Sequence, residues 1–147
     1  MDAEVFIDTN ILYYANTESV DPRHARARKL VEELWSAPGR AAVSIQVLQE
    51  LHVNLVRKAG LSPQQSAERV TLYLAWRLVD NDRGLLASAF EVQACWQLSY
   101  WDSLIVAAAQ RSGAPVLWSE DLSAGQHFGT VVVVNPLSQD PAQNASA

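Results

Sequence analysis

The chain has 147 residues, 49% of them hydrophobic and 18% charged, with a formal charge of −5. That length suits one domain burying roughly 70% of the surface its unfolded chain would expose. The composition excludes disorder, and no apolar stretch is long enough to cross a bilayer. A lone cysteine, Cys95, excludes an internal disulfide and a Cys-rich zinc site; flanked by Ala94 and Trp96, it reads as core packing. Asp8 interrupts the apolar run Val5-Phe6-Ile7 at once, so no secretory leader is read and the cytoplasm is the expected compartment.

In chain order, Val5-Phe6-Ile7 predicts a first strand, and Asp8 opens the segment Thr9-Asn10-Ile11-Leu12. Asp21-Pro22 supplies an N-cap and a first helical proline for a helix whose apolar stripe is Ala25, Leu30 and Leu34, running to Trp35 and stopped by Pro38-Gly39. Arg23, Arg26, Arg28 and Lys29 crowd that helix, either as a solvated face or as a local contact for phosphate. A strand over Ala41 to Ser44 leads into a helix from Ile45 to Ala59. There Val47, Leu48, Leu51 and Leu55 recur at helical spacing, Arg57-Lys58 stand at the end and Gly60 is the cap.

Ser62-Pro63 starts the next helix, leading to Trp76, and Leu78-Val79 predicts a short strand. Asp82 caps a helix from about Arg83 to Gln97, and Ser99 caps another from Trp101 to Ser112 that Gly113 terminates. Strands over Val116 to Trp118 and Val131 to Val134 follow, and Asn135-Pro136 breaks the last. The domain is read as 1–136, with 137–147 as a mobile tail. Short apolar runs alternating with helical stretches predict an α/β fold, a parallel sheet of about five strands between helices.

Four acids, Asp8, Glu50, Asp102 and Asp121, stand at strand-to-helix junctions or near helix starts. Singly each has an ordinary reading. Asp8 caps a helix, Glu50 lies on a helix surface beside the apolar face, Ser99 to Asp102 is a capping box and Ser119-Glu120-Asp121 is a turn. Jointly they mean more, because a parallel sheet gathers its carboxyl strand ends on one rim, where ligands bind. Like charges brought together there repel unless a cation holds them. Oxygen donors suit Mg²⁺ or Mn²⁺, and His24, His52 and His127 are too scattered for zinc. A dehalogenase-like phosphatase would want Asp where Asn10 stands, a receiver domain would need a lysine later than Lys58, and no glycine-rich phosphate loop or Gly-x-Ser-x-Gly elbow is present. The acidic balance argues against a general electrostatic grip on nucleic acid, although bound metal would let phosphate approach.

From Val5 to Pro136 the sequence resembles the PIN domain, in particular VapC-type toxin ribonucleases of bacterial toxin–antitoxin pairs. Val5-Phe6-Ile7-Asp8-Thr9-Asn10-Ile11-Leu12, Ser44 to Leu51, Leu98 to Ile105 and Leu117 to Leu122 carry the resemblance by their order and spacing. It implies Mg²⁺- or Mn²⁺-dependent RNA cleavage. Asp8 and Asp102 would be the most direct metal ligands, Glu50 a ligand or water-mediated partner and Asp121 the fourth acid, with Asn10 and Ser119 orienting the cluster. Glu120 competes with Asp121, but the family motif places the acid at Asp121. The resemblance also implies a VapB-like antitoxin lying over the site and a toxin homodimer. Trp35, Leu72, Tyr73 and Trp76 are read either as core or as a groove for that partner. The alternative is a catalytically silent PIN-like module binding RNA or protein. A flap-endonuclease-type DNA nuclease would need helical segments for which this length leaves no room.

Overall fold

The computed structural model describes residues 2–138. Its elements are β1 (Val5–Ile7), α1 (Thr9–Ala15), α2 (Pro22–Trp35), β2 (Ala41–Ser44), α3 (Ile45–Arg57), α4 (Pro63–Leu72), β3 (Arg77–Val79), α5 (Arg83–Trp96), α6 (Tyr100–Ser112), β4 (Val116–Trp118), β5 (His127–Phe128) and β6 (Val131–Val134). The strands form one sheet in the order β3-β2-β1-β4-β6-β5, parallel throughout except for β5 against β6. Strands β1, β2 and β6 are buried at every position, as continuous apolar or small-residue runs should be in a sheet covered on both faces.

The chain steps from β1 to β2 to β3 in one direction, then returns past β1 to β4. Right-handed crossovers therefore place α1 to α4 on one face and α5 and α6 on the other. Helix α6 lies against β2, β3 and β4 with α5 behind it. Every residue from Ser103 to Ala109 is buried, and the alanines let this helix sit close to the sheet. Gly113 ends α6 at φ 77°, and a Cβ there would run into the Asp2 side chain. The reversal of strand order between β1 and β4 creates a crevice beyond their carboxyl ends.

Several sequence expectations need correction in detail. The sheet has a sixth strand, β5, whose two residues are too short to show any period. It forms a hairpin, Phe128 opposite Val131, around Gly129 at φ 65°, which the tight turn requires. Helix α2 buries Ala27, Val31 and Leu34, whereas Ala25 is exposed. Cys95 is exposed, not core. On α5 the inward stripe is Leu85, Ala89 and Val92, continued by the half-buried Trp96, which turns its neighbour outward. Trp35, Tyr73 and Trp76 stack on one another at 4.8–5.4 Å within the core, while Leu72 is 64% exposed. Leu137, assigned to the tail from sequence, is 4% exposed and packs into the core. The remainder of the expected tail, 139–147, lies outside the described residues.

Candidate metal centre and the acid cluster

The crevice at the β1–β4 switch is closed by a short polar network. Asp8, directly after β1, is buried and caps α1; its Oδ1 accepts the Thr9 N–H at 2.7 Å. Its Oδ2 accepts the hydroxyl of Ser119, directly after β4, at 2.8 Å. Ser119 is fully buried and its Oγ also accepts the N–H groups of Asp121 and Leu122, at 3.2 and 3.1 Å. One hydroxyl thus fixes the turn after β4 and ties it to Asp8.

The remaining acids surround this pair. Asn10 Nδ2 donates to Asp121 Oδ2 at 2.8 Å, holding Asp121 over the start of α1. Glu50, in the second turn of α3, accepts the Thr9 hydroxyl through Oε1 at 3.0 Å. Asp102 lies in the first turn of α6, where Ser99 Oγ caps its N–H. Gln46 Nε2 donates to Trp101 O at 3.3 Å, joining that turn to α3. Glu120 faces another way: it accepts Tyr14 Oη at 2.8 Å and both N–H groups that Arg23 Nη1 offers its two oxygens, at 3.1 and 2.9 Å. Arg23 also pairs with Asp21 and stands over the Tyr14 ring at 4.7 Å, a clamp between α1, α2 and the turn after β4.

Three of the four acids, Asp8, Glu50 and Asp121, each feel at least one other acid of the group, and Asp102 acts on two of them. Burial pushes the Asp8 carboxyl up to about 6; the Thr9 N–H and Ser119 hydroxyl pull against this, and the charges of Asp121 and Glu50 push further. Glu50 is raised by partial desolvation and then by Asp102 and Asp121, against the hydrogen bond from the Thr9 hydroxyl. Asp121 is raised by burial and by Glu120 and Asp102. Such a cluster disfavours its own ionised state until positive charge arrives.

The donors fit a hard divalent cation: carboxylate oxygens, with no Cys or His among them. Gln46 adds a further observation, since its Oε1 is buried with no partner, one helical turn before Glu50. As the side chains stand, no three of the His, Cys, Asp or Glu groups among the described residues converge closely enough to hold one ion. Asp8, Glu50 and Asp121 are instead each held by hydrogen bonds from Thr9, Ser119 or Asn10.

Two residues beside the acids were not assigned a role from sequence. Thr9 bridges Asp8 and Glu50 through its N–H and hydroxyl. Its signal was a hydroxyl residue at the first helical position directly after a strand-end Asp. Gln46 carried a weaker signal, a polar residue at a position of α3 that is 4% exposed, which only the fold reveals. His52, which sequence spacing turned away from Glu50, bonds Ser66 Oγ on α4 at 2.8 Å.

This fold and rim of acids define an α/β/α domain with a carboxylate site at a topological switch. The PIN domain model matches residues 5–124, and the chain belongs to the PIN domain family. No curated protein matches the chain in sequence. Among solved structures it is similar to VapC20 of Mycobacterium tuberculosis, a toxin cleaving the sarcin-ricin loop, at 23% identity over 80% of this chain and 91% of that one, with a TM-score of 0.61. It is similar to a toxin–antitoxin complex from Klebsiella pneumoniae, at 17% identity over 87% and 95% of the two chains and a TM-score of 0.65. VapBC2 of Rickettsia felis, bound to a DNA fragment from their promoter, shares 17% identity over 88% and 96%, with a TM-score of 0.62. At these identities the likeness is one of fold.

Proposed function

We propose that this PIN domain protein is a VapC-type toxin, a Mg²⁺- or Mn²⁺-dependent endoribonuclease acting in the cytoplasm and held in check by a VapB-like antitoxin, and that it forms a homodimer. The observation that carries the reading is the gathering of Asp8, Glu50, Asp102 and Asp121 around the strand-order switch, where desolvation and neighbouring carboxylates raise the proton affinity of Asp8, Glu50 and Asp121. PIN family membership and the toxin–antitoxin neighbours support it. No helix among the described residues is long and apolar enough to cross a membrane, in keeping with the proposed compartment.

Asp8, Asp102, Glu50 and Asp121 would hold the cation. When bound, it supplies charge neutralisation for an incoming phosphodiester and acidifies water for attack on phosphorus. The protein's own groups do the positioning. Ser119 holds Asp8 Oδ2 and the backbone of the Asp121 turn, Thr9 spaces Asp8 from Glu50, and Asn10 steadies Asp121. Family antitoxins would cover this rim and block it.

The separation of the acids favours one competing reading, a silent module that binds RNA or protein without cutting it. Cleavage of cellular RNA and single-stranded DNA by the purified chain, freed of any partner, separates the two. The expected result is RNA cutting with Mg²⁺ or Mn²⁺, abolished by chelator and by Asp8→Asn. A folded, partner-free chain that cuts neither nucleic acid with either metal would favour the silent module.

A further inference from the structure

A cavity of about 840 Å³ lies between the C-terminal ends of α1 and α3 and the adjoining parts of α2 and α4. Its charge is opposite to that of the acid cluster. Arg28, Lys58 and Arg69 line it against the single acid Glu18, in a chain with formal charge −5. Among the described residues neither arginine makes a salt bridge to a carboxylate. Arg28 Nη2 donates to Thr17 O at 2.8 Å and Arg69 Nη1 to Asn16 O at 2.5 Å, so each satisfies a carbonyl just beyond α1. A guanidinium has five N–H donors, and these two are held at the cavity wall with donors to spare. Lys58 caps α3 through its backbone N–H and makes no salt bridge among the described residues.

Position connects this cavity to the acids. Glu50 and Lys58 lie on the course of α3, eight residues apart, about 12 Å at the helical rise. Asp8 caps the start of α1 and Asn16 its end, a similar separation. The two helices therefore run from an acidic end to a cationic end, over a span that a few nucleotides of one strand can bridge.

We propose that this cavity binds the phosphodiester backbone of single-stranded RNA flanking the bond to be cut, with Lys58, Arg28 and Arg69 neutralising its phosphates. The assignment rests on the ribonuclease reading. The cavity's polar, cationic walls suit backbone contacts, which position a strand without reading its sequence. This also reconciles an acidic protein with a polyanionic substrate, because cations are concentrated where the strand leaves the acid rim.

The test is binding of a fluorescent, mixed-sequence single-stranded RNA oligonucleotide to the full chain in chelator, across a salt series, beside cleavage with Mg²⁺ or Mn²⁺. Single strands lose affinity with a slope of about −0.7 in log–log salt dependence per phosphate neutralised. Lys58→Gln should therefore weaken binding about fivefold at about 0.1 M salt and flatten the slope by about 0.7. Glu18→Gln should tighten binding. Lys29→Gln, which removes the same charge from the exposed side of α2 outside the cavity, should leave both affinity and slope close to wild type. If the wild type cuts RNA while Lys58→Gln and Glu18→Gln bind it as the wild type does, the cavity assignment is overturned and the ribonuclease reading stands. A wild type that neither binds nor cuts RNA overturns both. An oligoglutamate peptide whose binding Lys58→Gln abolishes, with RNA affinity unmoved, overturns the RNA assignment in favour of an acidic partner segment.

Discussion

Replacing Asp8 by Asn should stabilise the metal-free protein near neutral pH, and the gain should vanish on acidification. Asp8 is 8% exposed, and burial lifts its carboxyl from 3.8 to about 6. The folded-state value is raised, so below 3.8 the group is protonated in both states and carries no penalty. As pH rises through the window from 3.8 to about 6, the unfolded chain ionises while the folded chain resists, and folding loses stability. Above that window the loss is complete, about 3 kcal/mol at 1.36 kcal/mol per pH unit. Asn avoids it but cannot satisfy both present donors. If its oxygen keeps the Thr9 N–H, its amide faces Ser119 Oγ, which already accepts two N–H groups, and the lost bond costs about 1 kcal/mol. The net expectation is a variant about 2 kcal/mol more stable at about pH 7.5, and close to wild type at about pH 4.5. Urea unfolding in chelator at both pH values measures the difference, which should shrink by about 2 kcal/mol. A gap that is independent of pH, or a variant less stable than wild type at about pH 7.5, would refute the picture of Asp8 as a buried charge held against its own folding energy.

Added Mg²⁺ or Mn²⁺ should raise the wild-type unfolding midpoint by mass action and leave Asp8→Asn nearly unmoved; equal shifts in both would place ion binding away from Asp8. Ser119→Ala removes the acceptor of the Asp121 and Leu122 N–H groups and the donor to Asp8, so about 2–3 kcal/mol of stability should be lost in the same unfolding assay. Thr9→Val deletes the hydroxyl on Glu50 and should slow RNA cleavage with little change in circular dichroism, while Thr9→Ser restores the rate; a Val variant as fast as wild type would dismiss the bridge. Glu120→Gln loosens the partly exposed Arg23 clamp and should cost about 1 kcal/mol with cleavage retained, whereas Asp121→Asn should impair cleavage with stability kept. The reverse pattern would exchange the roles of these neighbours.

The fold was legible wherever the pattern was long or well punctuated. Ser62-Pro63, Asp82, Ser99 and Gly113 mark helix ends where the structure has them, because capping chemistry is local. The strand β5 was not legible, since two residues carry no period, and its pairing depends on β6 across a turn. Cys95 misled because composition says nothing about which side of a helix a residue occupies; a shift of one position from Trp96 brings it to the surface. In the acid cluster, residue types and junctions were visible, but the hydrogen bonds that arrange them were not. Ser119 touching Asp8, and Thr9 touching Glu50, are contacts across 111 and 41 residues that only strand order brings about.

The same strand order accounts for the division of labour along α1 and α3. Both helices start from the rim where β1 and β2 end, so their N-terminal halves carry Asp8, Thr9, Gln46 and Glu50 into the switch crevice. Their C-terminal ends must lie farther out, where orphaned carbonyls attract donors. Arg28 and Arg69 answer that need at Thr17 and Asn16, which puts cations at a fixed distance from the acids. Two local requirements of helix termini, an acceptor at the start and donors at the end, thereby set up an acidic-to-basic gradient along α1. A change in the length of α1 should disturb it more than the loss of one charge. Inserting one residue near Tyr13 would rotate the far end by about 100° and pull Asn16 and Thr17 off their arginines. RNA affinity in chelator should then fall further than in Lys58→Gln, and an insertion variant that folds and binds as tightly as wild type would break the link between helix length and the gradient.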